Sequence, residues 1–183
     1  MVNTSLSHPL RIDEVQPLSG WGSIGMSLCP GKRQSNALSG NWARDLDLDI
    51  GVIRAWGAAA VVTLMEMHEH DELSVPDLPE KVWGAEMEWF HLPIVDQRAP
   101  DAAFLQRWNT FGRRIVSTLA NGRRVFIHCK GGLGRTGTIA ACLLIESGMK
   151  PAEAMASVRR ARRGAIETLE QERFVLGYEP SFR

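Results

Sequence analysis

The amino-acid sequence predicts an α/β fold, a three-layer sandwich in which helices flank a mostly parallel central sheet. Short apolar runs bounded by turn residues alternate along the chain with longer segments of helical periodicity. Helices that connect successive strands make those strands parallel and cover the sheet. The 183 residues suffice for one hydrophobic core, and no Pro/Gly/Ser-rich or single-sign charged stretch is long enough to link two domains.

Short apolar runs are predicted to form the strands. They comprise residues 22–28, 59–65, 88–95 and 124–128. The segment 44–56 (RDLDLDIGVIRAW) lies between the first two runs and fits two structures. Its residues from Leu46 alternate like a strand, whereas Leu46, Ile50 and Ile53 share one face of a helix. Gly57 and the apolar run after it favour a helix that ends at this glycine.

The second half of the chain carries clearer helical patterns. One begins after Asp101, which can cap its N-terminus, and ends before Gly122. Its apolar face consists of Phe104, Trp108, Phe111, Ile115 and Leu119. Residues 136–147 are almost wholly apolar and predict a buried central helix. Pro151 then opens another helix at its N1 position, and residues 169–178 form the last one.

Composition narrows the functional class. The formal net charge is zero, whereas a nucleic-acid-binding protein usually carries a basic face. The N-terminus lacks the apolar core of a secretory signal, and no apolar run approaches the ~18 residues of a membrane span. Cys29, Cys129 and Cys142 are far apart without a CxxC pair, which argues against a disulfide framework or a zinc site. We therefore expect a cytoplasmic monomer without nucleic-acid or membrane partners.

The most informative stretch is VFIHCKGGLGRTGT, residues 125–138. It places Cys129 directly after an apolar strand, at the edge of the sheet where open α/β folds bind their ligands. We name residues 129–135, between this strand and the next helix, the anion loop. Glycines let its backbone close around a ligand, so its N–H groups are predicted to form an anion-binding nest at a helix N-terminus. The predicted anion-binding residues are Lys130, Gly131, Gly132, Leu133, Gly134 and Arg135.

Side chains of the same stretch are predicted to supply a nucleophile and further hydrogen-bond donors beside this nest. A helix N-terminus and nearby cations favour the thiolate form of a cysteine, which makes Cys129 a candidate nucleophile. Arg135 carries a planar fork that matches two oxygens of a phosphate group. The Thr136 hydroxyl follows directly and could donate a hydrogen bond to the sulfur. Alternatively, Cys129 could be a buried structural residue beside a glycine turn that caps a helix. That alternative does not explain why the charged Arg135 interrupts an otherwise uncharged apolar segment.

The motif HCKGGLGRTG, residues 128–137, resembles the Cys-x5-Arg-Thr/Ser signature of the cysteine-dependent protein tyrosine and dual-specificity phosphatases. Three further segments resemble those of kinase-associated phosphatases, the dual-specificity group that dephosphorylates cyclin-dependent kinases. They occur in the same order along the chain as in that group and read MSLCPGK, PIVDQRAPD and RGAIETLEQ. The resemblance covers residues 19–178. It implies a phosphotyrosine protein phosphatase-like fold, with an N-terminal extension at 1–18 and a dual-specificity phosphatase domain at 19–183. It also implies hydrolysis of phosphorylated proteins through a phosphocysteine intermediate, without a metal or other cofactor.

Residues outside the anion loop would complete this chemistry. Phosphate transfer to Cys129 needs a proton donor for the departing oxygen, and Asp96 and Asp101 are the candidates. The resemblance places this general acid, and later base, at Asp96 and leaves Asp101 as a helix cap. It also makes Gln171 the residue that orients the hydrolytic water, although a surface glutamine of a helix would look the same. His128 would pack beneath the loop and order it.

The substrate class depends on residues near these motifs. Glu167 stands where kinase-associated relatives carry a glutamine, and its charge is expected to alter phosphate affinity or substrate choice. Phosphoinositide phosphatases of the superfamily often carry two lysines in the loop, but here Leu133 follows Lys130 at the second place. No aromatic recognition loop is visible, so we expect a shallow cleft that admits phosphotyrosine, phosphoserine and phosphothreonine. The alternatives are a phosphoinositide or RNA 5′-phosphatase, or a phosphopeptide-binding module with little turnover.

Further features have simpler interpretations. MEMHEHDEL, residues 65–73, has metal-like spacing but is expected to form a solvated loop near the rim of the site. The arginines of RRARR, residues 159–163, suit a helix C-terminus, although they could also recruit acidic partners. Cys142 is expected in the core, and either Cys29 or Cys142 could form a disulfide with oxidised Cys129.

Overall fold

The central sheet of the protein has five strands, and helices flank it. The computed structural model describes residues 2–182. Its strands are β1 (Val2–Asn3), β2 (Asp13–Val15), β3 (Ile24–Ser27), β4 (Arg33–Ala37), β5 (Gly40–Ala43), β6 (Ala58–Thr63), β7 (Glu88–His91) and β8 (Arg124–His128). Its helices are α1 (Leu46–Trp56), α2 (Met67–Glu72), α3 (Leu78–Gly84), α4 (Ala102–Ala120), α5 (Gly134–Glu146), α6 (Pro151–Ala161) and α7 (Leu169–Leu176).

The four predicted strands form the parallel part of the central sheet. Their spatial order is β3–β8–β6–β7, and β2 adds an antiparallel edge strand beside β3. The predicted α/β class with a mostly parallel sheet is therefore confirmed. In the register of the strands, His128 at the end of β8 lies level with Ser27 of β3 and Thr63 of β6. The residue after β8 therefore leaves the sheet at the middle of its carboxyl edge.

The elements on both sides of the anion loop lie in the core. Val125, Phe126 and Ile127 of β8 have no exposed surface, and every residue of α5 is buried. Helices α6 and α7 pack against α5 and against each other. Interiors of this kind are close-packed, so the two ends of the anion loop are held firmly.

The main helices begin and end close to the positions indicated by the sequence. The ambiguous segment 44–56 is helical from Leu46 to Trp56, as its signals favour. The Asp45 carboxylate accepts a backbone N–H of its first turn at 2.9 Å, and Gly57 ends it in the left-handed conformation with φ 90°. Asp101 caps α4 in the same way, at 2.8 Å. Helix α5 begins at Gly134, two residues before the predicted start, because the end of the anion loop is already helical.

A second, three-stranded sheet pairs β1, β5 and β4 in that order, and the sequence pattern does not predict it. Its strands β4 (RQSNA) and β5 (GNWA) form a hairpin that is polar and largely exposed. Such strands lack the apolar alternation by which a strand is recognised in a sequence. The predicted extension 1–18 contains β1 and β2, which pair with β5 and β3, so this segment packs onto both sheets. Where the domain begins stays a prediction.

The MEMHEHDEL segment is a helix rather than the predicted solvated loop. Its residues Met67–Glu72 form α2, which opens with reciprocal capping between Glu66 and Glu69. Glu69 and His70 are buried. Within residues 2–182, no three His, Cys, Asp or Glu side chains are grouped so that they could hold a metal ion. None of the helices in the described part of the chain is long and apolar enough to cross a membrane.

A buried ion pair fixes the N-terminal residues and the turn before β4. Arg44 Nε and Nη2 donate to the two carboxylate oxygens of Asp49 at 2.7 and 2.8 Å. Asp49 also accepts the Ser5 hydroxyl at 2.8 Å and the N–H of Gly31 at 2.9 Å. Both charged side chains are almost wholly buried. These bonds replace the hydration that Asp49 loses, and they hold three separate segments together.

Asp49→Asn removes the charge that Arg44 requires and leaves an uncompensated cation in the interior. We expect the free energy of unfolding, measured by urea denaturation, to fall by about 3 kcal/mol. Asp47→Asn on the same helix is the control, because Asp47 pairs with Lys81 at the surface. Loss of this exposed ion pair should lower the free energy of unfolding by less than about 1 kcal/mol. Equal decreases in the free energy of unfolding of the two variants would show that the buried ion pair does not stabilise the fold more than the exposed one.

Candidate active site

The anion loop connects the end of β8 to the start of α5, and Cys129 is its first residue. This cysteine is 3% exposed, and its Sγ accepts the N–H of Gly132 at 3.2 Å. The loop therefore curls back over the sulfur. The site lies at the carboxyl edge of the parallel strands, as the position of Cys129 after a predicted strand indicates.

Four consecutive carbonyl groups of the anion loop accept hydrogen bonds from outside it. The acceptors are the carbonyls of Lys130, Gly131, Gly132 and Leu133, and the donors are the N–H groups of Cys29, Gly137 and Ile166 and the guanidinium of Arg162. In a trans peptide, the C=O and the N–H that follows it point in opposite directions. The described chain has no cis peptide bond. The N–H groups of residues 131–134 therefore point into the loop.

These inward N–H groups have the arrangement of the predicted anion nest. The N–H groups of Gly131 and Leu133 have no acceptor within residues 2–182, so they are available to a ligand. Gly132 needs to be glycine because its φ is +73° and a Cβ there would lie 2.2 Å from the carbonyl oxygen of Ser27. An oxyanion that enters the loop would meet several N–H donors together.

Helix α2 fixes Arg135 at the end of the anion loop. Its Nη1 and Nη2 donate to the two carboxylate oxygens of Glu69 at 2.6 and 2.8 Å. Nη1 also donates to the carbonyl of Ile94 at 3.0 Å. The guanidinium is 1% exposed, and its Nε has no acceptor in the described chain. Arg135 therefore has a fixed orientation, and its Nε–H is available to a ligand.

The pair of Arg135 and Glu69 stays charged despite its burial. Burial by itself raises the pKa of Glu69, but the hydrogen bonds and charge of Arg135 outweigh it, and the pKa lies below its ordinary value. Burial also disfavours charged Arg135, whereas its bond to Glu69 and its attraction to Cys129 hold its pKa above the ordinary value. The sequence does not identify Glu69. Its one local signal is the reciprocal capping at the start of α2.

Asp96 reaches the same guanidinium, whereas Asp101 does not. The Oδ1 of Asp96 lies 2.8 Å from Nη2 of Arg135, and 52% of the Asp96 side chain is exposed. Asp101 is the cap of α4. The structure thus brings to the anion loop the aspartate that the family resemblance selects as the acid. An incoming phosphate would compete with Asp96 for this nitrogen of Arg135.

His128 lies beneath the loop in a chain of hydrogen bonds. Thr63 Oγ1 accepts the indole N–H of Trp89 at 2.9 Å and lies 2.8 Å from Nε2 of His128. A carbonyl oxygen can only accept, so Nδ1 of His128 carries the hydrogen and donates to the carbonyl of Cys129 at 3.4 Å. In the neutral ring Nε2 then accepts the Thr63 hydroxyl. Burial, and to a smaller extent the charge of His70, lowers the pKa of His128 to about 3. The ring is therefore neutral at neutral pH and orders the backbone of Cys129.

Thr136 and Gln171 are both buried beside the loop. The Thr136 hydroxyl has no hydrogen-bond partner within residues 2–182, so the bond to the Cys129 sulfur is not formed. Gln171 is wholly buried rather than at the surface. Its Nε2 donates to the carbonyl of Arg98 at 3.1 Å, and its Oε1 accepts the N–H of Glu167 at 3.0 Å. Gln171 ties the segment that follows the candidate acid to the start of α7, and its water-orienting role stays a prediction.

Glu167 occupies one donor of the anion nest. Its Oε2 accepts the N–H of Gly134 at 2.7 Å. Because the carbonyl of Leu133 is held outward, this N–H belongs to the inner side of the loop. The Glu167 side chain is exposed and lines the mouth of the site. A phosphate oxygen would therefore compete with a carboxylate for the N–H of Gly134.

The anion loop opens into a cleft of about 300 Å³. Lys130, Gly131 and Leu133 of the loop form one side of it, together with Asp96 and Glu167. The β4–β5 hairpin and the turn before it form another side, with Lys32, Gln34, Ala37, Leu38 and Ser39. The cleft is thus bounded on two sides, and its shallowness stays a prediction. The polar strands of the second side give no strand signal in the sequence.

Other side chains that the sequence singles out have structural roles. Arg159 of the RRARR segment donates to two backbone carbonyls before α7, and Arg162 contacts the anion loop and Asp13. Arg162 is therefore a support of the loop that sequence reasoning missed. Cys29 and Cys142 are buried, and burial raises the pKa of both thiols. A redox role for either cysteine stays a prediction.

Comparisons with known sequences agree with this geometry. A family model described as "Swiss Army Knife protein, DSP-PTPase phosphatase domain" matches residues 44–175. "Cyclin-dependent kinase inhibitor 3" of Rattus norvegicus is 30% identical over 135 residues, which are 72% of this chain and 62% of that protein. "Protein tyrosine phosphatase type IVA 3" of Homo sapiens is 31% identical over 131 residues, which are 72% of this chain and 70% of that protein. The chain thus spans less than two thirds of the first of these relatives.

Solved structures share the fold over almost the whole chain. A crystal structure of kinase associated phosphatase, with its catalytic-site cysteine replaced by serine, is similar with a TM-score of 0.79 and 25% identity. The match covers 91% of this chain and 92% of that one. The active form of Tk-PTP is similar with a TM-score of 0.63 and 28% identity, over 90% of this chain and 93% of that one.

Glu69→Gln keeps the shape of the side chain but removes its charge and one of its two acceptors for Arg135. We expect the folded protein to bind vanadate roughly tenfold more weakly, because the guanidinium loses its fixed orientation. Vanadate titration measures this effect. Asp71→Asn, an exposed position on the same helix, is the control and should bind vanadate like the wild type. Unchanged vanadate affinity in Glu69→Gln would contradict the positioning role.

Glu167→Gln removes the negative charge at the N–H of Gly134 while it keeps a hydrogen-bond acceptor there. Inorganic phosphate and vanadate should then bind about tenfold more tightly, because a neutral amide competes less with an anion. The inhibition constants of both oxyanions report this change. Glu153→Gln, an exposed position on α6, makes the same charge change away from the site. Equal or weaker oxyanion binding in Glu167→Gln would show that the carboxylate does not compete.

Proposed function

Because the chain belongs to the family of tyrosine and dual-specificity phosphatases, we propose that it hydrolyses phosphate monoesters on phosphorylated proteins. The substrates are phosphotyrosine and also phosphoserine or phosphothreonine. One observation carries the proposal, namely that the carbonyls of the anion loop are held outward, so that its N–H groups surround Cys129. Arg135 closes this ring of donors.

The first proposed step transfers the phosphoryl group to sulfur. The Cys129 thiolate attacks phosphorus, the S–P bond forms and the P–O bond to the substrate breaks. The inward N–H groups and Arg135 stabilise the charge on the three phosphoryl oxygens. Asp96, in its protonated form, gives its proton to the departing oxygen. The contact of 2.8 Å between Asp96 and Arg135 supports this assignment, because it keeps the carboxyl group beside the phosphate position.

The second proposed step releases phosphate. A water molecule attacks the phosphocysteine, and Asp96, now a carboxylate, takes a proton from it. The P–S bond breaks, the thiolate of Cys129 returns and inorganic phosphate leaves, so that water is the only co-reactant. His128 supports both steps through its bond to the Cys129 carbonyl. Gln171 supports them by holding the carbonyl of Arg98, which is close to Asp96 in the chain.

A protein substrate fits the cleft better than a phosphoinositide. Apolar side chains, among them Leu38 and Leu133, line the cleft beside its charged residues. Leu133 occupies the loop position where many phosphoinositide phosphatases of the superfamily carry a lysine. We also propose that the enzyme works as a monomer in the cytoplasm, where its three free cysteines stay reduced.

Cys129→Ser should lower phosphate release from an aryl phosphate by at least about a thousandfold, because serine is a far poorer nucleophile here. Circular dichroism should show an unchanged fold. Asp96→Asn should lower kcat by about a hundredfold, because an amide neither donates nor accepts the proton. Asp101→Asn is the matched control, since asparagine still caps a helix. Undiminished phosphate release by Cys129→Ser would contradict the proposed mechanism.

A substrate panel separates the alternative functions. Phosphopeptides, phosphoinositide vesicles and 5′-phosphorylated RNA are compared by kcat/KM under the same conditions. We expect the highest kcat/KM for phosphopeptides. A higher kcat/KM for the lipid or the RNA would show that this molecule belongs to the preferred substrate class. Tight binding of phosphopeptides without turnover would instead identify a binding module.

A further inference from the structure

Lys32 places a buried cation in the cleft beside the anion loop, and the mechanism above does not use it. The side chain is 4% exposed and lines the cleft together with Lys130 and Gly131. Its Nζ makes one hydrogen bond, at 3.5 Å to the carbonyl of Lys130. It forms no ion pair with any carboxylate of residues 2–182. A buried ammonium group without a carboxylate partner is costly, so its presence needs an explanation.

Other charged groups that line the cleft already have partners. Lys130 pairs with Glu72 at 3.3 Å. Asp96 lies 2.8 Å from Arg135, and Glu167 accepts a backbone N–H at 2.7 Å. Lys32 is thus the lining charge that an anionic ligand could neutralise without breaking an ion pair.

Gln34 adds an unpartnered acceptor to the same wall. It lies two residues after Lys32, at the start of β4, and also lines the cleft. Its Oε1 is buried and has no hydrogen-bond donor within the described residues. Buried polar atoms of this kind usually have a partner. An ammonium group without an ion pair and an acceptor without a donor therefore lie beside the anion loop.

The backbone beneath these side chains is fixed. The Lys32 N–H donates to the carbonyl of Cys29 at 3.3 Å, and the Lys32 carbonyl accepts the N–H of Arg44 at 3.1 Å. The preceding residue, Gly31, donates its N–H to buried Asp49 at 2.9 Å. The ammonium of Lys32 is therefore presented from a rigid turn, which reduces the entropy lost when a ligand binds.

We propose that Lys32 and Gln34 form a second subsite, which binds an acidic residue next to the phosphorylated residue of a peptide substrate. This inference rests on the proposed function and specifies its substrate. The ammonium of Lys32 pairs with the acidic side chain, and the Oε1 of Gln34 accepts a main-chain N–H of the peptide. A peptide offers both groups within one residue, which matches an ammonium group without an ion pair and an acceptor without a donor.

Phosphotyrosine peptides of otherwise uncharged sequence test the subsite. A single glutamate is moved from the positions before the phosphotyrosine to those after it, and kcat/KM is measured for each peptide. In the wild type, glutamate at the favoured position should raise kcat/KM by roughly tenfold over the uncharged peptide. Lys32→Met should abolish this gain, whereas Lys32→Arg, which keeps the charge, should retain most of it. Arg33→Met is the control, because Arg33 is the exposed neighbour and lies outside the cleft lining.

The ratio between the two peptides distinguishes binding from a general effect on catalysis. Lys32 also attracts the charge of Cys129. If it acts only through this attraction, Lys32→Met slows the charged and uncharged peptides equally, and the subsite is refuted. A glutamate gain that persists in Lys32→Met refutes it as well. An inositol bisphosphate is also compared with an inositol monophosphate by kcat/KM. If the second phosphate raises kcat/KM more than glutamate does in any peptide, and Lys32→Met abolishes this increase, the subsite binds a lipid headgroup instead.

Failure of the subsite is distinguishable from failure of the proposed function. If the wild type releases phosphate from an aryl phosphate but shows no glutamate effect, the subsite alone is wrong. If the wild type releases no phosphate from any substrate, the proposed function is wrong.

Discussion

Donors from separate parts of the chain hold the carbonyl groups of the anion loop, and this outward bonding fixes the direction of its N–H groups. Cys29 follows β3, Arg162 follows α6 and Ile166 precedes α7, so three elements meet at one loop. The geometry of a trans peptide then turns each following N–H inward. Without these outer bonds the glycines of the loop would allow many conformations, and the donors would not converge on the sulfur.

Carboxylates accept hydrogen bonds from several donors of the site. Glu69 accepts hydrogen bonds from two nitrogens of Arg135, from a buried position on α2. Asp96 and Glu167 are exposed, and each satisfies one donor that phosphate would also use. A phosphate dianion carries more charge and contacts the donors together, so it can displace them.

The wall opposite the anion loop depends on the N-terminal part of the chain. β1 pairs with β5 of the hairpin, and buried Asp49 joins the turn before β4 to helix α1 through Gly31 and Arg44. This framework presents Lys32 and Gln34 to the cleft. The family model matches residues 44–175, so this wall precedes the matched region. The anion loop and the wall that faces it across the cleft thus belong to different parts of the sequence.

The sequence by itself determined the parallel strands, the main helices and the anion loop, because apolar runs, caps and glycines are local signals. Asp101 caps the start of α4 and Gly57 ends α1, as their residue types indicate. Only the tertiary structure decided the contacts of Glu69, Arg162 and Gln171 and the exposed hairpin. Glu69 lies 66 residues from Arg135, and Arg162 lies 30 residues from Gly132. Burial and pairing over such separations depend on how the elements pack, and no local pattern records this.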